Sequence, residues 1–236
     1  MGNAIANRLL ITGTDTEVGK TILTTALTAY WLQHFPKSAL GLMKPVQSGI
    51  GDSETYTQLF ELDQSPETLC PQRFAAPLAP PLAAAQEGKT VDLSLVWQTL
   101  SQLMTERDFV LIEALGGLGS PVTEEWTVAD VAAAWQLPIV LVVPVKLGAI
   151  AQAVANTALA RQHQLAIRGI VLNCATSLTL EQQANWAPVE LIERLTQLPV
   201  LGTMPYLTET HNLEALTQAA AQLALEGLWG LEAGDR

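Results

Sequence analysis

The chain has 236 residues, of which 49% are apolar, so it can fold as one domain with a substantial core. Its 23 acidic and 12 basic residues give a net charge of −11, which would repel nucleic-acid phosphates and anionic lipid. We therefore expect no nucleic-acid or membrane partner. Cys70 and Cys174 show neither metal-ligand spacing nor a disulfide framework, and residues 1–7 lack a leader pattern, so a cytoplasmic protein is expected.

Short β-branched runs alternate with longer segments whose apolar residues recur every three or four positions. This pattern predicts an α/β fold of the phosphate-loop type, with a mostly parallel sheet flanked by helices. In chain order we predict a strand at 8–12, a helix at 21–33, a strand at 39–43, a helix at 52–62, a proline-rich connector at 66–81, a helix at 93–105, a strand at 109–112, a helix at 128–135, a strand at 139–143, the longest helix at 149–162, a strand at 167–172, a helix at 188–195, a strand at 200–204 and a last helix capped by Asn212. No repeat or charged linker divides the chain, so one domain over residues 1–236 is expected.

The segment from Gly13 to Thr21 is similar to a phosphate-binding loop. It ends in Gly19-Lys20-Thr21, but five residues separate its glycines where the common pattern has four, so Thr14 takes the place of the first glycine. A predicted strand leads into the segment and a predicted helix leaves it, so backbone N–H groups can converge on phosphate oxygens. Lys20 would reach the outer phosphates of a nucleotide, and Thr21 would bind Mg²⁺. A chance turn containing Gly-Lys-Thr is the alternative.

Two charged residues follow predicted strands, at the edge where open α/β sheets bind ligands. Lys44 could neutralise charge on a transferring phosphoryl group or an acidic nucleophile, and Glu113 could hold Mg²⁺ directly or through water. The alternatives are an ordinary exposed lysine and a carboxylate on the rim of the site. Asp52 opens a predicted helix, so its default role is to cap that helix, and spacing alone makes a metal role the less favoured one.

Four segments, in their order and spacing, resemble the dethiobiotin synthetase family. They are Gly13-Thr-Asp-Thr-Glu-Val-Gly-Lys-Thr21, Lys44-Pro-Val-Gln-Ser-Gly49, Glu113 with Gly116-Gly117, and Val145-Lys-Leu-Gly148. The likeness extends over almost the whole chain. It implies a ligase of biotin biosynthesis that uses ATP and Mg²⁺. In that reaction 7,8-diaminopelargonic acid takes up carbon dioxide (or bicarbonate) as a carbamate, ATP phosphorylates the carbamate, and the second amine displaces phosphate to close the ring of dethiobiotin.

The resemblance also implies roles for individual residues. Lys20 and Lys44 would steady the phosphoryl group and the carbamate, and Thr16 and Ser48 would hydrogen-bond the carbamate. Thr21, Asp52 and Glu113 would hold Mg²⁺. The ATP site would comprise Glu17, Val18, Gly19, Lys20, Thr21, Ile22, Asp52, Glu113, Gly116, Asn173, Pro205, Tyr206 and Leu207, with Asn173 and residues 205–207 against the adenine. The diamine site would comprise Thr16, Lys44, Ser48, Gly116 and Gly117, and a homodimer interface would complete it.

Two positions depart from the family pattern. Ala151 stands where the family commonly has an asparagine that helps to bind the substrate carboxylate, and Glu113-Ala-Leu-Gly116 contains fewer glycines than usual. The resemblance therefore does not assign the carboxylate-binding residues of this chain.

Two other functions fit the fold expected from the sequence. The first is a nucleotide-switched ATPase of the partitioning type. Such proteins carry a lysine early in the loop, and this chain has none there. The chain also shows no basic DNA-binding patch, and residues 227–236 are too short and acidic for a membrane helix. The second is a related amidoligase that activates a different carboxylate, because a fold does not fix its substrate.

Overall fold

The computed structural model of the chain describes residues 7–229, which form eight strands and eleven α-helices. The strands are β1 (Arg8–Gly13), β2 (Leu40–Met43), β3 (Val46–Ser48), β4 (Gln72–Phe74), β5 (Phe109–Gly117), β6 (Ile139–Pro144), β7 (Ile167–Asn173) and β8 (Val200–Met204). The helices are α1 (Lys20–His34), α2 (Asp52–Leu59), α3 (Pro66–Leu69), α4 (Pro80–Gln86), α5 (Leu93–Glu106), α6 (Val128–Ala134), α7 (Ala149–Gln162), α8 (Leu180–Trp186), α9 (Val189–Thr196), α10 (Leu213–Ala221) and α11 (Leu225–Trp229).

Six strands form one sheet in the order β2-β5-β1-β6-β7-β8, and every pairing in it is parallel. Because the strands are parallel, their carboxyl ends meet at one edge, with the end of β1 between those of β5 and β6. Strands β3 and β4 form a second, two-stranded parallel sheet. The expected α/β class with a mostly parallel sheet is confirmed.

Both faces of the six-stranded sheet are covered by helices, which is why its strands are nearly continuous apolar runs. Along β1, Leu9 and Ile11 pack in a cluster with α1, α10 and α11, whereas Leu10 packs in a cluster with α5, α6 and α7. Glu113 pairs with Ile11 in the sheet, and the alternation along β5 turns its side chain toward α1. The helix that begins at the phosphate loop and the acidic residue of β5 thus share one face of the sheet.

The structure corrects the expected environment of Glu113. Strand β5 continues to Gly117 instead of ending at residue 112, so Glu113 lies inside the strand and is fully buried. It is not a carboxylate on the rim of the site. The strand end expected at residue 112 was wrong because an acidic residue interrupts the apolar run without interrupting the strand.

The segment between β2 and α5 differs most from the expectation. The helix expected at 52–62 ends at Leu59, and the connector expected at 66–81 contains α3, β4 and the start of α4. Prolines mark these short elements instead of excluding them, because Pro66 and Pro80 occupy first-turn positions where no backbone N–H is needed. The third element, β4, obtains its backbone partners from β3.

The C-terminal third contains two helices that the apolar pattern did not indicate, α8 and α11. Asn212 does cap α10, as expected, but α10 is followed by α11. Pro188 is the cap of α9 and not its first residue, and α1, with 15 residues, is longer than α7, with 14.

The expectations for the two chain ends concern residues 1–6 and 230–236, which lie outside the described range, together with a few described residues next to them. Between residues 7 and 229, none of the helices has the length and apolar character needed to cross a membrane.

Candidate active site

The phosphate loop connects β1 to α1 and is held in place from a distant strand. Gly19 adopts a left-handed conformation with φ of 100° immediately before the helix. The side-chain amide of Asn173, at the end of β7, donates a hydrogen bond to the carbonyl of Val18 at 2.9 Å. A Cβ atom on Gly19 would lie 2.0 Å from that amide nitrogen, so glycine is required by both conformation and space. Asn173 therefore braces the loop.

Lys20 lies folded under the loop. Its Nζ donates a hydrogen bond to the carbonyl of Asp15 at 3.0 Å, and burial lowers the pKa of the Lys20 ammonium to about 8 even though Glu113 acts to raise it. A charge so poorly solvated gains from an anionic partner such as a phosphate group. The Asp15 carboxylate accepts a hydrogen bond from the Thr16 N–H at 2.7 Å, so it engages the backbone of its own loop.

Thr21, Asp52 and Glu113 bring three side-chain oxygens together beside the loop. The Thr21 hydroxyl lies 2.7 Å from Asp52 Oδ1 and 3.0 Å from Glu113 Oε1. Thr21 is on the first turn of α1, Asp52 is the first residue of α2, and Glu113 is in β5. The expectation that Asp52 caps its helix was wrong, since Gly51 is the cap and the Asp52 carboxylate faces Thr21 instead.

Lys44 sits between the two carboxylates of this group. Its Nζ forms an ion pair with Glu113 Oε1 at 3.1 Å, a second ion pair with Asp52 Oδ2, and a hydrogen bond to the carbonyl of Ala114 at 3.3 Å. Lys44 is buried, so the alternative of an ordinary exposed lysine is excluded. One buried ammonium therefore holds β2, β5 and α2 at a common point.

The pKa values of these groups reflect both burial and pairing. Burial alone would lower the pKa of Lys44, but Glu113 and Asp52 outweigh it and raise that pKa above its ordinary value. Burial raises the pKa of Glu113 despite Lys44, whereas Lys44 holds the pKa of the less buried Asp52 below its usual range although burial opposes this. The ammonium stays charged, and one positive charge faces two carboxylates.

The oxygens of Thr21, Asp52 and Glu113 are hard ligands of the kind that Mg²⁺ prefers. In the part of the chain that the structure describes, no three or more His, Cys, Asp and Glu side chains are grouped closely enough to hold a metal by themselves. The Thr21 hydroxyl and the two carboxylates would therefore be the groups that hold a magnesium ion beside the phosphates of a bound nucleotide.

Tyr56 is a member of this group that the sequence analysis missed. It is fully buried, and its hydroxyl donates a hydrogen bond to Glu113 Oε2. Tyr56 fixes one oxygen of Glu113 while the other, Oε1, faces Thr21 and Lys44. The signal was present in the sequence, because Tyr56 lies four positions after Asp52 on the same helix and hence on the same face.

A second missed network ties α2 to the small sheet. The Gln47 amide accepts a hydrogen bond from the Ser53 N–H at 2.9 Å and donates one to Glu54 Oε2 at 2.7 Å. Arg73 of β4 pairs with Glu54 Oε1 at 3.1 Å and also contacts the Ser53 hydroxyl. These contacts fix the first turn of α2 and with it Asp52. Nothing in the sequence indicated Arg73, because it falls in the segment expected to be a connector.

An open cleft of about 670 Å³ lies over the carboxyl ends of β2 and β5. It brings together six residues expected at the site, and these are Thr16, Glu17, Lys44, Ser48, Asp52 and Gly116. The Ser48 hydroxyl oxygen is shielded from solvent and has no hydrogen-bond partner among the described residues. Pro77–Pro80, Leu115 and Ser120 also line the cleft and were not expected there.

The remaining expected residues lie beside or outside this cleft. The Gly117 N–H donates to the Ser120 hydroxyl at 2.9 Å, and a Cβ on Gly117 would lie 2.9 Å from the carbonyl oxygen of Thr14, so this glycine lets β5 pack against the loop. Asn173 ends β7, and Pro205, Tyr206 and Leu207 follow β8, which pairs with β7. Ile22 lies in the first turn of α1. The expected adenine contacts are thus on the other side of the loop from the cleft.

The sequence is similar to that of known ligases over nearly its full length. A family model described as an AAA domain matches residues 7–214. The "ATP-dependent dethiobiotin synthetase BioD" of Gloeothece citriformis is 61% identical, covering 93% of this chain and 97% of the relative. The protein of that name from Synechocystis is 52% identical, covering 93% and 94%, and that of Bacillus subtilis subsp. natto is 35% identical, covering 84% and 86%.

The fold is shared with ATPases of bacterial and archaeal cell organisation. The cell division ATPase MinD of Pyrococcus furiosus superimposes with a TM-score of 0.58 at 16% identity, covering 93% of this chain and 98% of that one. A ParA family ATPase from Chlorobium tepidum gives a TM-score of 0.53 at 14% identity, covering 95% and 97%. At such low identity these likenesses show the fold alone.

The contact between Tyr56 and Glu113 leads to a stability prediction. In Tyr56→Phe, one oxygen of a fully buried carboxyl group loses its partner, so we expect the free energy of unfolding to fall by about 1–3 kcal/mol. Urea unfolding followed by tryptophan fluorescence measures this change. Tyr30→Phe is the matched control, since no hydrogen bond of the Tyr30 hydroxyl is seen within residues 7–229, and it should change stability by less than about 0.5 kcal/mol. Equal effects of the two substitutions would contradict the assigned role of Tyr56.

Proposed function

Because this chain belongs to the family of ATP-dependent dethiobiotin synthetases, we propose a role for each part of its site in making dethiobiotin. The chain is an ATP-dependent ligase of biotin biosynthesis that closes the ureido ring. The observation that carries the proposed mechanism is the convergence of Thr21, Asp52, Glu113 and Lys44 beside the phosphate loop.

The phosphate loop and the first turn of α1 bind the phosphates of ATP. The N–H groups of residues 17–22 surround the phosphate oxygens, and the helix N-terminus adds a favourable dipole. Lys20 exchanges its contact with the Asp15 carbonyl for the outer phosphates, which stabilise its desolvated charge. The adenine lies near Asn173 and residues 205–207, whose position at the ends of β7 and β8 supports this proposal.

Thr21, Asp52 and Glu113 hold Mg²⁺, and Tyr56 keeps Glu113 oriented toward it. When bound, the ion offsets negative charge on the ATP phosphates during transfer. Both carboxylates form ion pairs with the Lys44 ammonium, so they lie close enough together to share a cation. This arrangement supports the proposal that they also bind Mg²⁺.

Lys44 acts on the reacting groups of the substrate. One amine of diaminopelargonic acid adds to carbon dioxide and loses a proton, which gives a carbamate. A carbamate oxygen then attacks the terminal phosphorus of ATP and releases ADP. The ammonium of Lys44 stabilises the negative charge that spreads over the carbamate and the phosphoryl group, while the hydroxyls of Thr16 and Ser48 donate hydrogen bonds to the carbamate.

Ring closure follows in the same cleft. The second amine attacks the carbamate carbon, phosphate leaves with the electron pair of the broken C–O bond, and a proton is released as the five-membered ring forms. The chain holds the two amines close together along the cleft between Ser48 and Gly116, so that ring closure is an intramolecular reaction of aligned groups.

A homodimer in the cytoplasm is part of the proposal. Ile50 and Leu147 are large apolar side chains with 91% and 77% of their surface exposed. Ile50 directly follows the segment 44–49 that carries the family resemblance, and Leu147 lies within the segment 145–148. Such exposure supports a second copy of the chain as the covering partner.

The alternative of a partitioning-type ATPase is not favoured. The named relatives at 35–61% identity are ligases, whereas the ATPases of similar fold are 12–16% identical. The loop also has no lysine before Lys20. A related amidoligase would share the site but leave a different product, which the following experiment separates.

The proposed reaction is tested by measuring phosphate release from ATP in buffer that contains Mg²⁺ and bicarbonate, with and without diaminopelargonic acid. The mass of the organic product is measured in the same samples. We expect phosphate release that depends on the diamine and equals the dethiobiotin formed. Phosphate release that is indifferent to the diamine would refute the ligase mechanism.

Lys44 gives a second prediction. In Lys44→Ala the reacting group loses its cation, so product formation should fall by at least about 100-fold. The substitution also leaves the Asp52 and Glu113 carboxylates without their ammonium, so ATP affinity is measured by calorimetry with Mg²⁺ present, whose charge would offset them, and it should fall much less than turnover. Lys37→Ala, at an exposed lysine, is the matched control and should retain full activity. Turnover of Lys44→Ala within about twofold of the unchanged protein would show that Lys44 does not act on the reacting group.

A further inference from the structure

A small apolar cavity lies beside the reaction site, on the face of β5 opposite Glu113. The centre of a water-sized sphere can occupy a volume of about 30 Å³ inside it. It is bounded by β1, β5, α5, α6 and the segment after Lys44, and its lining residues are Leu10, Pro45, Val46, Leu93, Val96, Ile112, Ala114, Leu115, Val122, Val128, Val131, Trp135 and Leu137. Twelve of these thirteen side chains are purely hydrocarbon, and Trp135 is the exception.

The cavity is large enough for water but offers it almost nothing to bind. A single water needs about 10–15 Å³ on this measure and two to four polar partners. The walls are almost wholly apolar. Most of the lining side chains are buried in the core that α5 and α6 form on the sheet, and Val96 and Ile112 are fully buried. Walls of this kind favour small apolar molecules over water.

The cavity is adjacent to the reacting groups. Val46 and Leu115 line both the cavity and the substrate cleft, so these two side chains form a wall that the two spaces share. Pro45 follows Lys44 in the chain, and the carbonyl of Ala114, another lining residue, accepts a hydrogen bond from Lys44 Nζ at 3.3 Å. Leu115 is only partly buried, so a rotamer change of its side chain can open the partition on the nanosecond timescale.

We propose that this cavity binds carbon dioxide and delivers it past Val46 and Leu115 to the substrate amine. The inference rests on the proposed function, in which carbon dioxide is the one small apolar reactant. Room for two to three water-sized spheres fits a linear molecule of three heavy atoms. Bicarbonate is excluded, because burying an unpaired anion among hydrocarbon side chains is strongly unfavourable.

The cavity supplies the reactant of the first step in its reactive form. The amine nitrogen donates its electron pair to the carbon of carbon dioxide, one C–O π bond becomes a lone pair on oxygen, and the nitrogen releases a proton to solvent. The carbon and both oxygens of the carbamate group come from carbon dioxide and its nitrogen comes from the amine, so no other reactant is needed. A molecule held next to the cleft raises the local concentration at the amine.

Xenon tests the cavity in the unchanged protein, because it is an apolar probe of similar size that occupies dry cavities. Crystals pressurised with xenon should show an anomalous peak between α5, α6 and β5. In solution, xenon pressure should raise the KM for carbon dioxide without changing kcat or the KM values for ATP and the diamine. The absence of xenon from the cavity would overturn the proposal.

Val96→Leu tests the same inference by filling the cavity from α5, a helix that does not line the substrate cleft. One added methylene removes much of the space, so the KM for carbon dioxide should rise about fivefold while kcat at saturating carbon dioxide is retained. The matched control is Val140→Leu, which adds the same group at another fully buried valine in the core on the opposite face of the sheet.

The outcomes separate the two proposals. An unchanged KM for carbon dioxide in Val96→Leu, or an equal rise in Val140→Leu, would identify the cavity as a packing void. Failure of the unchanged protein to form dethiobiotin would instead refute the proposed function, and xenon occupancy would then describe only the cavity.

Discussion

A buried ammonium between two carboxylates constrains the active end of this fold. Lys44 and Glu113 are both buried, and an unpaired charge there would cost several kcal/mol, so the pair persists only if β2 and β5 stay in register. Asp52 completes the group from α2, although its side chain is 29% exposed. Because the Thr21 hydroxyl lies within hydrogen-bond distance of both carboxylates, the phosphate loop is linked to the same point. The geometry that binds nucleotide is therefore set by contacts between strands that are far apart in the sequence.

Contacts with neighbouring elements explain how the short helix α2 holds the Asp52 side chain in a fixed position. Helix α2 has only eight residues, too few to be stable on its own propensity. Tyr56 anchors it to Glu113, and Gln47 and Arg73 anchor its first turn to the small sheet. On the far side of the loop, Asn173 performs the same task for Val18. The site is thus braced on two sides and open toward the cleft, which we propose as the entry of the diamine.

Much of this arrangement could be predicted from the sequence, and the rest could not for physical reasons. The phosphate loop is a local pattern of glycines, lysine and threonine between a strand and a helix, and the apolar runs of a sheet buried on both faces are equally local. The true setting of Glu113, inside a strand, depends on pairing with β1 across about 100 positions, and the partners of Arg73 lie about 20 positions away. A pattern over neighbouring residues carries no information about such contacts. A metal role for Asp52 and a substrate role for Ser48 were favoured only by the family resemblance.

The central claim is that Glu113 belongs to a divalent-metal site formed together with Thr21 and Asp52. The most direct test is the affinity for Mn²⁺, measured by electron paramagnetic resonance with a non-hydrolysable ATP analogue bound. The proteins compared are the unchanged protein, Glu113→Gln and the control Glu61→Gln at an exposed glutamate. The proposed site predicts that Glu113→Gln weakens Mn²⁺ binding by about 10–100-fold and that Glu61→Gln leaves it unchanged. Equal affinities for all three proteins would contradict it.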